Sequence, residues 1–177
     1  MTASTSAVAG SDIAARYFDI VQFLALETRL LDENRLWEWY KMLDDDFVYE
    51  VPIRIVQERS GADEFPSGSY HMRDTKGSVK KRIERLDTGH AWAEDPASRT
   101  VRVVGIPLLE STDDSNVVIA SSSLLVYRER AQDPAHDLIS GRREDLIRFT
   151  DGEPRLAART VRLAHTSLNT SNLGIFL

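Results

Sequence analysis

Apolar residues at Ile13, Tyr17, Ile20, Leu24 and Leu31 recur at spacings of four, three, four and seven, the stripe of an amphipathic helix. Ser11 or Asp12 is placed to cap its start, which leaves Met1 to Ser11, rich in Thr, Ala and Ser, as a flexible arm. Leu36, Trp39, Tyr40 and Leu43 predict a second, shorter helix, ended by the Asp44, Asp45, Asp46 cluster. The period then changes to two. Phe47, Tyr49, Val51 and Ile53 alternate with Val48, Glu50, Pro52 and Arg54, a strand whose proline calls for an edge or a bulge. Gln57 to Thr75, polar and holding Gly61, Pro66 and Gly68, reads as a long connection, and Ser78 to Leu86 as a short helix. Four strands follow at Thr100 to Leu109, Val117 to Arg130, Leu138 to Phe149 and Leu156 to Leu163, with turns at Asp113 to Asn116 and Asp151-Gly152.

Helices first and a meander of strands afterwards is an α+β order, in which N-terminal helices pack on an antiparallel sheet. The strand at Val117 to Arg130 is long enough to twist strongly, and Ser121-Ser122-Ser123 marks a place for it to bend. A strongly curved sheet and a cone-shaped fold follow. The chain reads as an arm over 1–11 and a single domain over 12–177.

Composition narrows the function. The 177 residues are 42% hydrophobic and 28% charged, enough apolar material for one core. Net charge is −6, with no long basic run, which argues against nucleic acid and anionic membranes as partners. There is no cysteine, so disulfides, zinc–thiolate sites and cysteine-ligated iron–sulfur clusters are excluded. No apolar stretch is long enough to span a bilayer, and the first residues lack a signal-peptide pattern, so a cytoplasmic protein is expected.

Among candidate chemical groups, Glu27 stands out because it lies on the apolar stripe itself, three residues after Leu24 and four before Leu31. Its two readings are a buried structural acid paired with Arg29, Arg54 or Arg159, and a general base of raised pKa in the mouth of a cone. His71, His90, His136 and His165 have none of the spacings by which a helix brings two imidazoles to one metal. Tyr127 to Arg130 and Gly141 to Asp145 are charge-dense strand segments expected to pair face to face, either solvated or at an interface. Leu173 to Leu177 is apolar and has to pack into the cone or against a neighbour. There is no dinucleotide-binding glycine motif, P-loop or nucleophile elbow.

Several runs carry a family resemblance. Phe23 to Glu33 with Trp39, and Asp46 to Arg54, resemble the first half of the β subunits of bacterial aromatic-ring-hydroxylating dioxygenases. Arg82, Arg85-Leu86 and then Thr88 to Thr100, with Trp92 and an acid-Asp-Pro turn leading into Ser98-Arg99, resemble that family's most distinctive signature. Tyr127 to Arg130, Gly141 to Leu146 and Asn172 to Leu177 match in order. The chain departs from the pattern at Val103 to Pro107 and at Glu153-Pro154-Arg155.

The resemblance implies a cone fold similar to nuclear transport factor 2 and scytalone dehydratase, and a non-catalytic structural subunit. It further implies three such chains beneath three catalytic α subunits. Those would carry a Rieske iron–sulfur cluster and a mononuclear non-haem iron and cis-dihydroxylate an aromatic ring, with electrons from a reductase, often through a ferredoxin. On this reading the chain has no catalytic, cofactor or metal residue of its own. Trp92, Asp95, Arg99, Arg142 and Arg143 are its interface candidates. The alternatives are a free-standing cone-fold isomerase or dehydratase with a carboxylate base, and a small-ligand-binding module.

Overall fold

The computed structural model describes residues 4–56, 64–87, 97–130, 136–166, 170 and 172–177, with side chains described from residue 14 onward. Three helices, α1 (Ser4–Asp32), α2 (Leu36–Tyr40) and α3 (Lys76–Asp87), accompany seven strands: β1 (Leu43–Pro52), β2 (Tyr70–Thr75), β3 (Arg99–Val104), β4 (Leu108–Ser111), β5 (Val117–Glu129), β6 (His136–Thr150) and β7 (Glu153–Leu163).

α1 begins seven residues before the expected cap, inside the segment read as an arm. Ala7 and Ala9 are strong helix formers, and Gly10 alone costs only about 1 kcal/mol, so nothing there stops the helix. Its inner face carries Ile20, Phe23, Leu24, Leu30 and Leu31, all buried. It ends in a Schellman turn: Asn34, at φ 55°, lets the Arg35 and Asn34 amides return to the carbonyls of Leu30 and Leu31. That turn aims α2 back across the cone and buries Trp39.

The sheet runs β2-β1-β7-β6-β5-β3, with β4 beside β5. It is mixed, not wholly antiparallel, because β1 pairs with β7 in parallel. This pairing joins the two ends of the sequence. β1 also starts earlier than expected: Leu43 pairs with Leu156, Val48 pairs with Ala158, and the Asp44–Asp46 cluster sits in the irregular stretch between them. Pro52 lies at a register shift against β2, so it is accommodated by a bulge in an internal strand. β2 itself falls within the segment read as a connection. None of its residues is fully buried, so it carries no apolar signal.

The long strand at Thr100 to Leu109 is broken into β3 and β4 by Gly105-Ile106-Pro107, one of the departures noted above. Both pieces pair with β5, and the Gly105 amide donates to Ser123 at the joint, where the serine run lies. β6 and β7 are joined through Asp151 and Gly152, both at positive φ, as a tight hairpin requires. The core lies between the concave face of the sheet and the three helices.

Candidate functional site

The floor of the cone is strongly polar. Glu27 descends from α1 and is 0% exposed. Arg159 Nη1 donates to its Oε1 at 2.6 Å, Trp39 Nε1 donates to the same oxygen at 3.0 Å, and Arg143 Nη1 donates to Oε2 at 3.2 Å. Arg159 also grips Asp145 with two parallel bonds, Nε to Oδ1 at 2.7 Å and Nη2 to Oδ2 at 3.1 Å. Arg143 Nε lies 2.9 Å from Asp145 Oδ2. Two cations therefore face two anions, all four buried.

Strand geometry assembles this network. Asp145 and Arg159 are directly paired between β6 and β7, so their side chains emerge on one face. Arg143 is two residues from Asp145 and shares that face by the period of a strand. Glu27, on the helix stripe above, then supplies the second carboxylate.

Burial alone would raise the pKa of Glu27, but the charges of Arg159 and Arg143 and the Arg159 hydrogen bond pull it down to about 2. Arg159 is held protonated in spite of burial by Asp145 and Glu27, its pKa raised above the ordinary value. A carboxylate fixed in its charged form, with both oxygens occupied, is a poor acceptor for a substrate proton at neutral pH.

The last residues of the sequence fill the rest of the cone. The Phe176 ring lies 4.5 Å from Trp39, and the Arg82 guanidinium sits 4.2 Å over its face. Arg102 Nη2 donates to the Phe176 carbonyl at 2.6 Å, Arg159 Nη1 to that of Leu177 at 3.0 Å, and the Leu177 amide donates to the Tyr49 hydroxyl at 3.1 Å. Phe176 and Leu177 are both buried. Hollows beside the core include one of about 120 Å³ against Phe176 and one of about 450 Å³ along α1, and Glu27 lines neither of these. Neither of these hollows places a substrate beside this carboxylate.

A second polar clamp holds α1 to the sheet edge. Asp32 accepts from the Arg102 backbone amide and from Thr100 Oγ1, both at 2.9 Å, and its carboxylate also pairs with the Arg102 guanidinium.

Of the three arginines expected near Glu27, only Arg159 reaches it. Arg29 pairs with Glu33 at the surface, and Arg54 donates to the Leu163 carbonyl and pairs with Glu64. Arg143, expected at an interface, is instead buried beneath Glu27, because β6 alternates and only its neighbour Arg142 faces outward. Arg99 is exposed, opposite Glu129 on β5. Trp92, Asp95 and His90 lie outside the described residues. The charge-dense segments sit on adjacent strands but do not face each other: Arg128 pairs with Asp137, while Arg143 pairs with Ser122. His136 stacks on Tyr127 with ring centroids 5.4 Å apart, and His165 Nε2 lies 3.4 Å from Ser140 Oγ. Among the described residues no group of three or more histidine or acidic side chains is placed to hold a metal. Asp145 and Asp32 were not foreseen; Asp145 shares the parity of buried Ile147 and Phe149, which was the available signal.

The architecture is thus an α+β cone with a buried charge network on its floor and with Phe176 and Leu177 packed into its core. Residues 26–170 match the family model for the ring hydroxylating beta subunit. The chain is 36% identical over 156 residues to the N,N-dimethyl phenylurea N-demethylase subunit beta of Sphingobium sp. (strain YBL2), covering 88% of each. It is 31% identical over 167 residues to the biphenyl 2,3-dioxygenase subunit beta of Rhodococcus jostii (strain RHA1), covering 89% of this chain and 87% of that one. Naphthalene 1,2-dioxygenase with indole bound in the active site has a chain of the same fold, with a TM-score of 0.81 at 21% identity over 93% of this chain and 86% of that one. The chain belongs to the ring-hydroxylating β-subunit family.

Proposed function

We propose that this chain is the structural member of a cytoplasmic oxygenase, in which three copies support three α subunits. The α subunit carries the Rieske cluster and the mononuclear iron and oxidises an aromatic compound with electrons from a reductase, directly or through a ferredoxin. The observation that carries this reading is the packed cone: the position where a cone-fold enzyme would bind substrate holds Phe176, Leu177 and a neutralised four-residue charge network. The absence of cysteine agrees, since a Rieske cluster needs two thiolates.

The relatives differ in chemistry, one being named an N-demethylase and the other a 2,3-dioxygenase. Ring cis-dihydroxylation is the leading reaction for the complex, and oxidative N-demethylation of an aryl amine derivative is the second, favoured by the 36% identity to the phenylurea enzyme's subunit. Arg99 and Arg142, both exposed, remain interface candidates, together with Trp92 and Asp95.

The test is co-expression with the large subunit encoded beside this chain, followed by mass, iron and sulfide analysis. The complex is expected at three-plus-three stoichiometry with all the iron in the large subunit. It should turn over a biphenyl or a phenylurea when a reductase is supplied. The β chain alone is expected to bind no iron and convert neither compound. Iron and turnover in the lone chain would overturn the proposal.

A further inference from the structure

Residues 172–177 lie in the cone the way a bound peptide lies in a groove. Among the described residues they form no strand or helix, and their backbone groups bond to side chains alone. Arg128 Nη1 donates to the Asn172 carbonyl at 2.9 Å, Arg82 Nη2 to that of Leu173 at 3.4 Å, and the Gly174 amide to Asn172 Oδ1 at 2.9 Å. With Arg102 and Arg159 on the last two carbonyls, four arginines from α3, β3, β5 and β7 hold the segment. Its departure would break no rung of the sheet ladder. The Phe176 ring fills a slot whose aromatic and cationic walls come from α2, β1 and α3. Trp39 packs against it at a tilt of 36°, Tyr49 stands with its centroid 6.3 Å away, and the Arg82 guanidinium lies over its face.

The walls also define what fits. Arg82 is balanced by Asp74 at 2.6 Å, Arg102 by Asp32, and Glu27 by Arg143 and Arg159, so an arene acid would bring an uncompensated buried charge. A guanidinium over a ring favours an electron-rich π face, most strongly where water is excluded. Arg102 lines the hollow of about 120 Å³ together with Phe176, Leu31 and Leu36, and its Nε is buried without a hydrogen-bond partner among the described residues. An acceptor oxygen would satisfy that donor. We infer that the cone holds a binding site for a small, neutral, electron-rich arene bearing an acceptor oxygen, and that Phe176 is its resident occupant, supplied by the chain itself. The site binds without converting, because the Glu27 carboxylate bonded to Trp39 is fully engaged by its donors. It goes beyond the subunit reading and does not depend on it.

The test opens the slot with Phe176→Ala in the full chain and titrates phenol, with cyclohexanol and benzoate as comparisons. Trp39 reports the location, since its indole N–H, bonded to Glu27, gives an NMR signal beside the slot. Phenol is expected to saturate a single site and to shift that signal. Cyclohexanol, which has the oxygen but no π face, is expected to bind about fivefold more weakly or worse, and benzoate not at all. The wild type is expected to bind phenol about tenfold more weakly or worse, because Phe176 holds the slot. Cyclohexanol or benzoate binding as tightly as phenol would reduce the site to a plain apolar hole and overturn the inference. A folded variant in which phenol leaves the Trp39 signal unmoved would overturn it equally. If the variant does not fold alone, the comparison is made by refolding from urea. Recovery with phenol and not with cyclohexanol is then expected, and recovery with both or with neither would overturn the inference. Each of these failures leaves the assembly and the iron assignment of the subunit reading untouched.

Discussion

Glu27 on α1 and Arg159 on β7 meet at 2.6 Å although 132 residues separate them in the chain. The contact ties the first helix to the last strand, and it is made where both groups are fully removed from water. Pairs of this kind add little net stability relative to apolar residues, but breaking one leaves an uncompensated buried charge. Glu27→Gln keeps the shape and removes the charge, so Arg143 and Arg159 are left with Asp145 alone. Destabilisation of about 3–5 kcal/mol is expected in urea unfolding. A change under 1 kcal/mol would mean that the network is not carried by this carboxylate.

The same residue sets an acid limit. Its folded pKa of about 2 lies below the ordinary 4.5, because Arg159 and Arg143 outweigh the effect of burial. The folded state therefore binds the proton less readily than the unfolded chain. The resulting stability is fully present above pH 4.5 and is lost as pH falls from there towards 2, by roughly 3 kcal/mol in all. Urea unfolding between pH 5 and pH 3 should show a steeper loss for the wild type than for Glu27→Gln. Parallel slopes would contradict it.

Asp32 is the hinge pin between α1 and the edge strand, since one carboxylate accepts the Arg102 amide and the Thr100 hydroxyl and balances the buried Arg102 guanidinium. Asp32→Ala removes all three at once. Loss of about 3 kcal/mol is expected, with faster hydrogen exchange at the Arg102 amide than at amides in the centre of β5. Unchanged exchange there would show that the strand edge is held by other means.

These contacts also explain what could and could not be read from the sequence. The alternation of Phe47, Tyr49 and Val51 and the stripe from Ile20 to Leu31 announce their elements because one face of each is buried, and periodicity records burial. β2 escapes because its residues are only partly covered. The parallel join of β1 to β7 escapes because a partner over 100 residues away leaves no local trace. Glu27 is visible as a charge on an apolar stripe. Its second arginine is not, because Arg142-Arg143 reads as one basic surface pair until β6 is given a face. Period two, extended back from Ile147 through Asp145, would have turned Arg143 inward.

The close approach of β6 to β7 at Gly141 yields the last expectation. Gly141 pairs with Leu124 on one side and Leu163 on the other. A Cβ there would lie 2.7 Å from the Arg162 carbonyl oxygen and 3.2 Å from Leu163 Cα, backbone atoms that cannot swing aside. Gly141→Ala therefore forces the strands apart two residues from Arg143, and with them the geometry of the charge network. Overpacking of this kind costs about 1–3 kcal/mol. Gly105→Ala is the control, because its nearest new contact is an ordinary 3.5 Å. Thermal melts of the two variants should separate by several degrees, with Gly141→Ala the lower. Equal melting temperatures would mean that β6 and β7 can part at this point without strain.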